Sequence, residues 1–165
     1  MKPTMTIAQR IDFLSIHPHG GSQREAFEEL CCQIARVRSA AAVSFERYRG
    51  AGGDGGVECL ARGEDGSVIG WQAKYVFNID GLIKQFAESL RAALKVHSDL
   101  TRYVVCFPFD PTGKTARKGK SQSEKFADWA AEATKGAAEN GHNQLQASPP
   151  GFLQVVWNLC RYSAV

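Results

Sequence analysis

Two carboxylates, a side-chain amide and a lysine lie close together in the chain. Gly50-Ala-Gly-Gly-Asp54-Gly-Gly-Val-Glu58 is followed shortly by Trp71-Gln72-Ala73-Lys74. These oxygens suit a hard divalent cation. Mg²⁺ takes one or two carboxylates together with carbonyl oxygens and waters, rather than a full protein cage. Asp54, Glu58, the Gln72 side-chain oxygen and the Ala73 carbonyl would supply such a partial shell. Lys74 would stand beside it, where an ammonium stabilises a pentacovalent phosphate or orients an attacking water. A carboxylate from a neighbouring helix could complete or tune the site. The reaction that fits these parts is metal-assisted hydrolysis of a phosphodiester.

These residues must be positioned by a hairpin. Val43–Tyr48 alternates apolar and polar residues and predicts a first strand ending at Gly50. After the glycine-rich turn, Val57–Ala61 predicts a second strand, Gly63-Glu-Asp-Gly66 a turn, and Ser67–Phe77 a third strand. Pairing Arg62 with Ser67 puts Glu58 opposite Trp71, and a shift of one residue puts it opposite Gln72. Glu58 lies near Gln72 in either register. Gln72 and Lys74, as i and i+2, share a face.

Helices flank these strands. Ser22, with Glu25 three residues on, reads as an N-cap, and Phe27, Leu30, Cys31, Ile34 and Val37 recur at helical spacing, predicting a helix over residues 23–38. It carries Glu25, Glu28 and Glu29. Asp80 is the expected cap of a second helix, with Leu82, Ile83, Phe86, Leu90 and Leu94 as its core stripe up to about His97. Thr101–Phe107 reads as a buried strand, residues 122–138 as a third helix, 136–151 as loop, and Phe152–Trp157 as a last strand. The order is helix, strand, strand, strand, helix, strand, helix, strand, an α/β sandwich with a mixed sheet. Residues 1–21 form a lead-in, with His17-Pro-His19-Gly-Gly as irregular loop rather than metal ligand, and 22–165 form one domain.

Composition limits the classes. With 165 residues, 44% of them hydrophobic, the chain closes one sizeable core. It shows no 18-residue apolar run and no signal-peptide pattern, so no membrane partner is expected. Its five cysteines make no C-x-x-C, and four fall in apolar runs, which reads as reduced core thiols in a cytoplasmic protein. A net charge of +3 does not demand a nucleic acid.

The glycine-rich motif, the Gln-Ala-Lys strand and the helix with Phe27-Glu28-Glu29-Leu30 together resemble the Mrr-like branch of the PD-(D/E)xK nuclease superfamily. That branch has a helix with Phe-Glu, a Gly-Asp-Gly-Gly-Ile-Asp turn and a strand with Gln-x-Lys. The motifs cover about residues 22–75, and the element order matches to about residue 107. The resemblance implies a three-layer restriction-endonuclease-like core (αβββαβ) with a central mixed sheet, here followed by a C-terminal helix and strand. It implies that Glu28 takes the place of the helix acid, with Glu29 and Glu25 as alternatives. Glu58 stands for the main metal-binding aspartate, Gln72 for the second ligand, Lys74 for the catalytic lysine and Asp54 for the loop aspartate. The chain departs from the pattern at Glu58, usually Asp, whose extra methylene displaces the carboxylate. Gln72, neutral as is normal in this branch, leaves the metal's charge to the other carboxylates.

The expected activity is therefore that of a Mg²⁺-dependent DNA endonuclease, with Mn²⁺ as a substitute, acting on double-stranded DNA. No recognition helix or zinc finger promises sequence preference. A weaker likeness, of the strand-loop-helix block to segments that follow nuclease domains in bacterial antiviral NTPases of the STAND type, suggests anti-phage defence. Regulation through homo-oligomerisation or a sensor or NTPase partner is expected, because uncontrolled cutting would be toxic. Two other readings compete: a catalytically silent nuclease-fold module for nucleic-acid binding or assembly, and a plain turn with Glu58 and Lys74 as a cross-strand ion pair.

Phe107-Pro-Phe-Asp-Pro-Thr-Gly-Lys-Thr115 invites a phosphate-loop reading. Pro108 occupies the position of the first glycine and has no N–H to offer phosphate, which excludes it. Lys114, Arg117, Lys118 and Lys120 read instead as a basic loop that could touch DNA phosphates, or as a solvated loop.

Overall fold

Ser22 opens the first helix as its position predicts: the hydroxyl accepts from the Glu25 amide at 3.1 Å. The computed structural model describes residues 12–48, 55–113 and 119–142 and the backbone of 146–147. In these the order is α1 (Gln23–Arg38), β1 (Ser44–Arg47), β2 (Cys59–Arg62), β3 (Val68–Ala73), α2 (Ile79–Val96), β4 (Arg102–Cys106), α3 (Gln122–Glu139) and β5 (Gln146–Ala147). The strands form one sheet in the order β1-β2-β3-β4-β5. The first three run antiparallel as a meander, and β3, β4 and β5 are parallel neighbours. Helix α2 makes the crossover that a parallel β3–β4 pair requires. The chain is mixed α/β, as its pattern predicts.

Alternation along the strands sends residues into two cores. Leu60, Val68, Tyr103, Val105 and Phe107 pack with Leu82, Phe86, Phe126 and Trp129 of α2 and α3. Cys59, Trp71, Ala73, Val104 and Cys106 pack on the other face with Phe27, Cys31, Cys32 and Ile34 of α1. Part of the predicted lead-in belongs to this second core: Phe13 is buried there, and its carbonyl accepts from the Tyr75 hydroxyl at 2.6 Å. No described helix is long and apolar enough to cross a membrane.

Three local expectations need correction. The cap of α2 is Asn78, which accepts from the Gly81 amide at 2.7 Å, and not Asp80. Burying Ile79 in the first turn starts the helix earlier, and Asp80 instead pairs with Lys125 of α3 at 2.8 Å. The β2–β3 turn is a residue longer at its far side than the Arg62–Ser67 pairing assumed. Arg62 pairs with Val68, and the Gly63 amide closes the loop on Ser67 O at 2.8 Å. The stretch 136–151, expected as loop, contains the end of α3 and the two-residue β5, too short for alternation to reveal. The strand expected over Phe152–Trp157 lies outside the described residues.

The end of the glycine-rich turn is fixed against α2. Gly56 has φ +81°, and a Cβ there would overlap the Ser89 carbonyl oxygen and lie 2.7 Å from Ala93 N. The Tyr103 hydroxyl donates to Gly56 O at 2.9 Å from within the core. Gly66 has nearly the same φ, +79°, but nothing within 4 Å of the Cβ position. Gly66→Ala should therefore cost about 1–2 kcal/mol, the backbone penalty alone. Gly56→Ala should cost well beyond that, because helix backbone must also move. Urea denaturation of the two variants separates the contributions, and equal costs would contradict the packing described.

Candidate functional site

The register of β2 on β3 builds the centre of the site. Cys59 pairs with Trp71, so Glu58 is the next residue out and stands opposite Gln72. Its amide donates to Trp71 O at 2.7 Å, and its carbonyl accepts from the Tyr48 amide at 2.9 Å, so backbone on both sides holds Glu58. Gln72 Nε2 donates to Glu58 Oε1 at 2.7 Å and to Ala73 O at 3.2 Å. Gln72 is wholly buried, and its Oε1 has no hydrogen-bond partner among the described residues. A buried acceptor without a donor costs about 1–3 kcal/mol. The amide orientation has a simple cause: a carboxylate only accepts, so the N–H side faces Glu58 and Oε1 is turned away.

Lys74 follows on the same face. Its amide donates to Cys106 O at 3.0 Å, so extended pairing continues past the end of β3. Trp71, Ala73 and Tyr75 belong to the α1 core, and Val68 and Val76 to the opposite one. Gln72 and Lys74 therefore share the α2 face with Glu58. Lys74 is half-buried, and among the described residues no carboxylate lies within ion-pair distance of its Nζ.

The helix acids sit differently. Helix α1 covers the other face of the sheet, and Glu28 pairs with Arg24 of its own helix at 3.0 Å. Glu29 reaches Arg47 of β1 at 2.5 Å and accepts from Gln33 at 2.6 Å. The structure thus brings Glu58, Gln72 and the Ala73 carbonyl into contact and puts Lys74 on their face, while Glu28 and Glu29 are engaged elsewhere. Asp54 lies outside the described residues, as do Lys114, Arg117 and Lys118. Lys120 is described, exposed and paired with Asp128 at 2.5 Å. Among the described residues, no three His, Cys, Asp or Glu side chains group as a metal site.

Two contributors escaped sequence reasoning. Tyr103 holds the turn that leads into Glu58, and its only signal was a hydroxyl inside an otherwise apolar strand. Arg47 ties β1 to α1, and nothing in the alternation of β1 announced its partner. Comparison with protein-family models, curated proteins and solved structures matched the chain to none of them.

The Glu58–Gln72 hydrogen bond should appear as a coupling of about 1.5–3 kcal/mol in a Glu58→Ala/Gln72→Leu double-mutant cycle, the range for bonds to a charged group. Urea denaturation in EDTA measures it, and additive effects would mean the bond contributes nothing. Glu29 offers a pH test. The Gln33 hydrogen bond and then the Arg47 guanidinium hold its carboxyl below its ordinary value of 4.5. A depressed carboxyl stabilises the fold above its unfolded pKa, and that contribution is lost as pH falls through the folded value. Glu29→Gln should lower stability at pH 7, and its difference from wild type should shrink in acid below 4.5.

Proposed function

We propose that this chain is a metal-dependent endonuclease module that hydrolyses DNA phosphodiesters with little sequence preference. The observation that carries the reading is the hydrogen-bonded pair of half-buried Glu58 and buried Gln72, with Lys74 two residues along on the same face. The residues fit a hard cation in one specific respect. Gln72 has a buried oxygen with no partner among the described residues, beside a carboxylate, and rotating the amide would turn that oxygen toward Glu58, an arrangement repulsive without a cation between them. Glu58 Oε1 and Gln72 Oε1 would be the protein ligands in hand, with the Ala73 carbonyl beside them and Asp54 as a further carboxylate from the turn. Such a sparse set suits Mg²⁺ or Mn²⁺, which would supply Lewis-acid polarisation of the phosphate and a water of lowered pKa.

The chain's own groups have separable roles in this reading. Lys74 carries the positive charge that meets developing negative charge on the scissile phosphate. The hairpin backbone fixes Glu58 against Gln72, so the oxygens do not reorganise during reaction. Basic residues of the 114–120 loop would contact double-stranded DNA through phosphates alone, consistent with low sequence preference. The helix-meander-helix-strand order supports a restriction-endonuclease-like core, and the motifs resemble its Mrr-like branch. A role in bacterial anti-phage defence, in the cytoplasm and under control of an oligomer, sensor or NTPase partner, follows from that resemblance.

One set of observations favours a second reading, a silent nuclease-fold module that binds nucleic acid or serves assembly. Glu58 replaces the usual aspartate, Gln72 already hydrogen-bonds it, and Glu28 is paired on the opposite side of the sheet. The test is incubation with plasmid and linear DNA in Mg²⁺, Mn²⁺ or EDTA. Metal-dependent cutting that falls at least about 100-fold in Lys74→Ala supports the enzyme. Binding without cutting, equal in wild type and Lys74→Ala across metals and protein concentrations, supports the silent module.

A further inference from the structure

Tyr103 is among the largest fully buried side chains of the protein, and its ring packs in the core beneath α2 and α3. Phenylalanine would fill that space as well, so packing does not account for the hydroxyl. Burying a hydroxyl is costly unless it finds a partner, and here it donates to the Gly56 carbonyl at 2.9 Å. The two residues are not neighbours in the sheet. Tyr103 on β4 stands opposite Gly70 of β3, and Gly70 stands in turn opposite Leu60 of β2. To reach the turn before β2, the phenol must pass over β3. Gly70 opens the way: a Cβ there would lie 2.8 Å from Val57 Cγ1, 3.0 Å from Leu100 Cδ1 and 3.7 Å from Tyr103 Cδ2. Val57, Leu100 and the Tyr103 ring thus share the space that a side chain at Gly70 would take. Gln72, two residues along β3, lies on the same face. Gly56 is held twice, by the phenol and by its close seat on the α2 backbone at Ser89 and Ala93.

We propose that Tyr103 is a positioning residue for the cation site: through Gly56 it presets the path of the chain into Glu58, so that the carboxylate faces Gln72 before any cation arrives. This role rests on the reading of Glu58 and Gln72 as cation ligands, and it says where the order of that pair comes from. Tyr103 touches neither cation nor phosphate. It acts through two residues of main chain, from the Gly56 carbonyl to the Glu58 amide, which donates to Trp71 O at 2.7 Å. Ligand oxygens that are already in place do not have to be ordered by the cation, so affinity rises. Without the phenol, Gly56 would keep its seat on α2 and lose its tie to β4, and the lead-in to Glu58 would gain freedom.

The test titrates Mn²⁺ into the full chain, well below the Tm of every variant, and follows free Mn²⁺ by electron paramagnetic resonance. Tyr103→Phe, which removes one oxygen and keeps the ring, should raise the half-saturating Mn²⁺ concentration about 10-fold, the lower end of the effect of removing a group that orients a metal ligand. Replacement of Tyr103 by p-aminophenylalanine, which keeps a donor at the para position, should restore most of the affinity. A role in packing alone would lower Tm and leave the half-saturating concentration unmoved. Hydrogen exchange on the wild-type chain decides even where Tyr103→Phe does not fold. Residues 56–58 should be as strongly protected without Mn²⁺ as with it. Weak protection in both conditions, or protection that appears only with Mn²⁺, would overturn the proposal. Binding that Glu58→Ala abolishes and Tyr103→Phe leaves unchanged would overturn the role of Tyr103 alone. A wild-type chain that binds no Mn²⁺ would overturn the cation reading and this role together.

Discussion

A central sheet covered on both faces tolerates no error in register, and here the register of β2 against β3 governs everything of chemical interest. With Arg62 opposite Val68, Glu58 falls beside Gln72 on the α2 face, while Cys59 falls among the thiols on the α1 face. A slip of one residue would invert both, placing a carboxylate in an apolar core and a thiol beside an amide. The five-residue closure from Gly63 to Ser67 and the apolar identities of Leu60, Val68 and Trp71 enforce the same answer from different directions. The carboxylate–amide pair and the cysteine-rich core are thus back to back, one residue apart in sequence and on opposite faces of the sheet.

Burial also gives the amide of Gln72 its character. An exposed glutamine would satisfy its oxygen with water and hold no preferred orientation. Enclosed, it spends its N–H groups on Glu58 and on the Ala73 carbonyl and keeps an acceptor unanswered among the described residues. Polar groups in that condition are uncommon in folded proteins and concentrate where a ligand or strain has a use. Lys74 differs from the lysine of the Lys135–Glu139 pair on the surface of α3, which joins two exposed partners and is of small individual worth.

Much of this was legible in the chain. Helix α1 carries a cap and an apolar stripe, and its span could be read residue for residue, although Val37, expected in the stripe, is exposed. The element order as far as α3 and the nearness of Glu58 to Gln72 followed from alternation and turn chemistry alone. Other features depend on three dimensions. Asn78 and Asp80 are both competent caps, and only the burial of Ile79 chooses between them. Phe-Glu-Glu in α1 gives no sign of which face of the sheet the helix covers, so the pairing of Glu28 with Arg24 and of Glu29 with Arg47 could not be foreseen. The cysteines read as reduced core thiols because four of the five lie in apolar runs. Their gathering in the one core between α1 and the sheet brings together residues far apart in sequence, which no spacing rule addresses.

The close seat of Gly56 against Ser89 and Ala93 gives α2 a mechanical role. The helix has 18 residues, about 27 Å of rigid rod, with the turn leading to Glu58 wedged against its C-terminal half and Lys125 of α3 gripping Asp80 at its N-terminal end. The first turn of α3 is in turn tied to Thr112: the Gln122 side-chain oxygen accepts from the Thr112 amide, and the Ser123 amide and hydroxyl donate to the Thr112 carbonyl. With backbone meeting backbone at Gly56, there is no side chain to flex and absorb a displacement. The backbone of the turn that leads to Glu58 therefore cannot shift toward α2 unless the helix shifts with it.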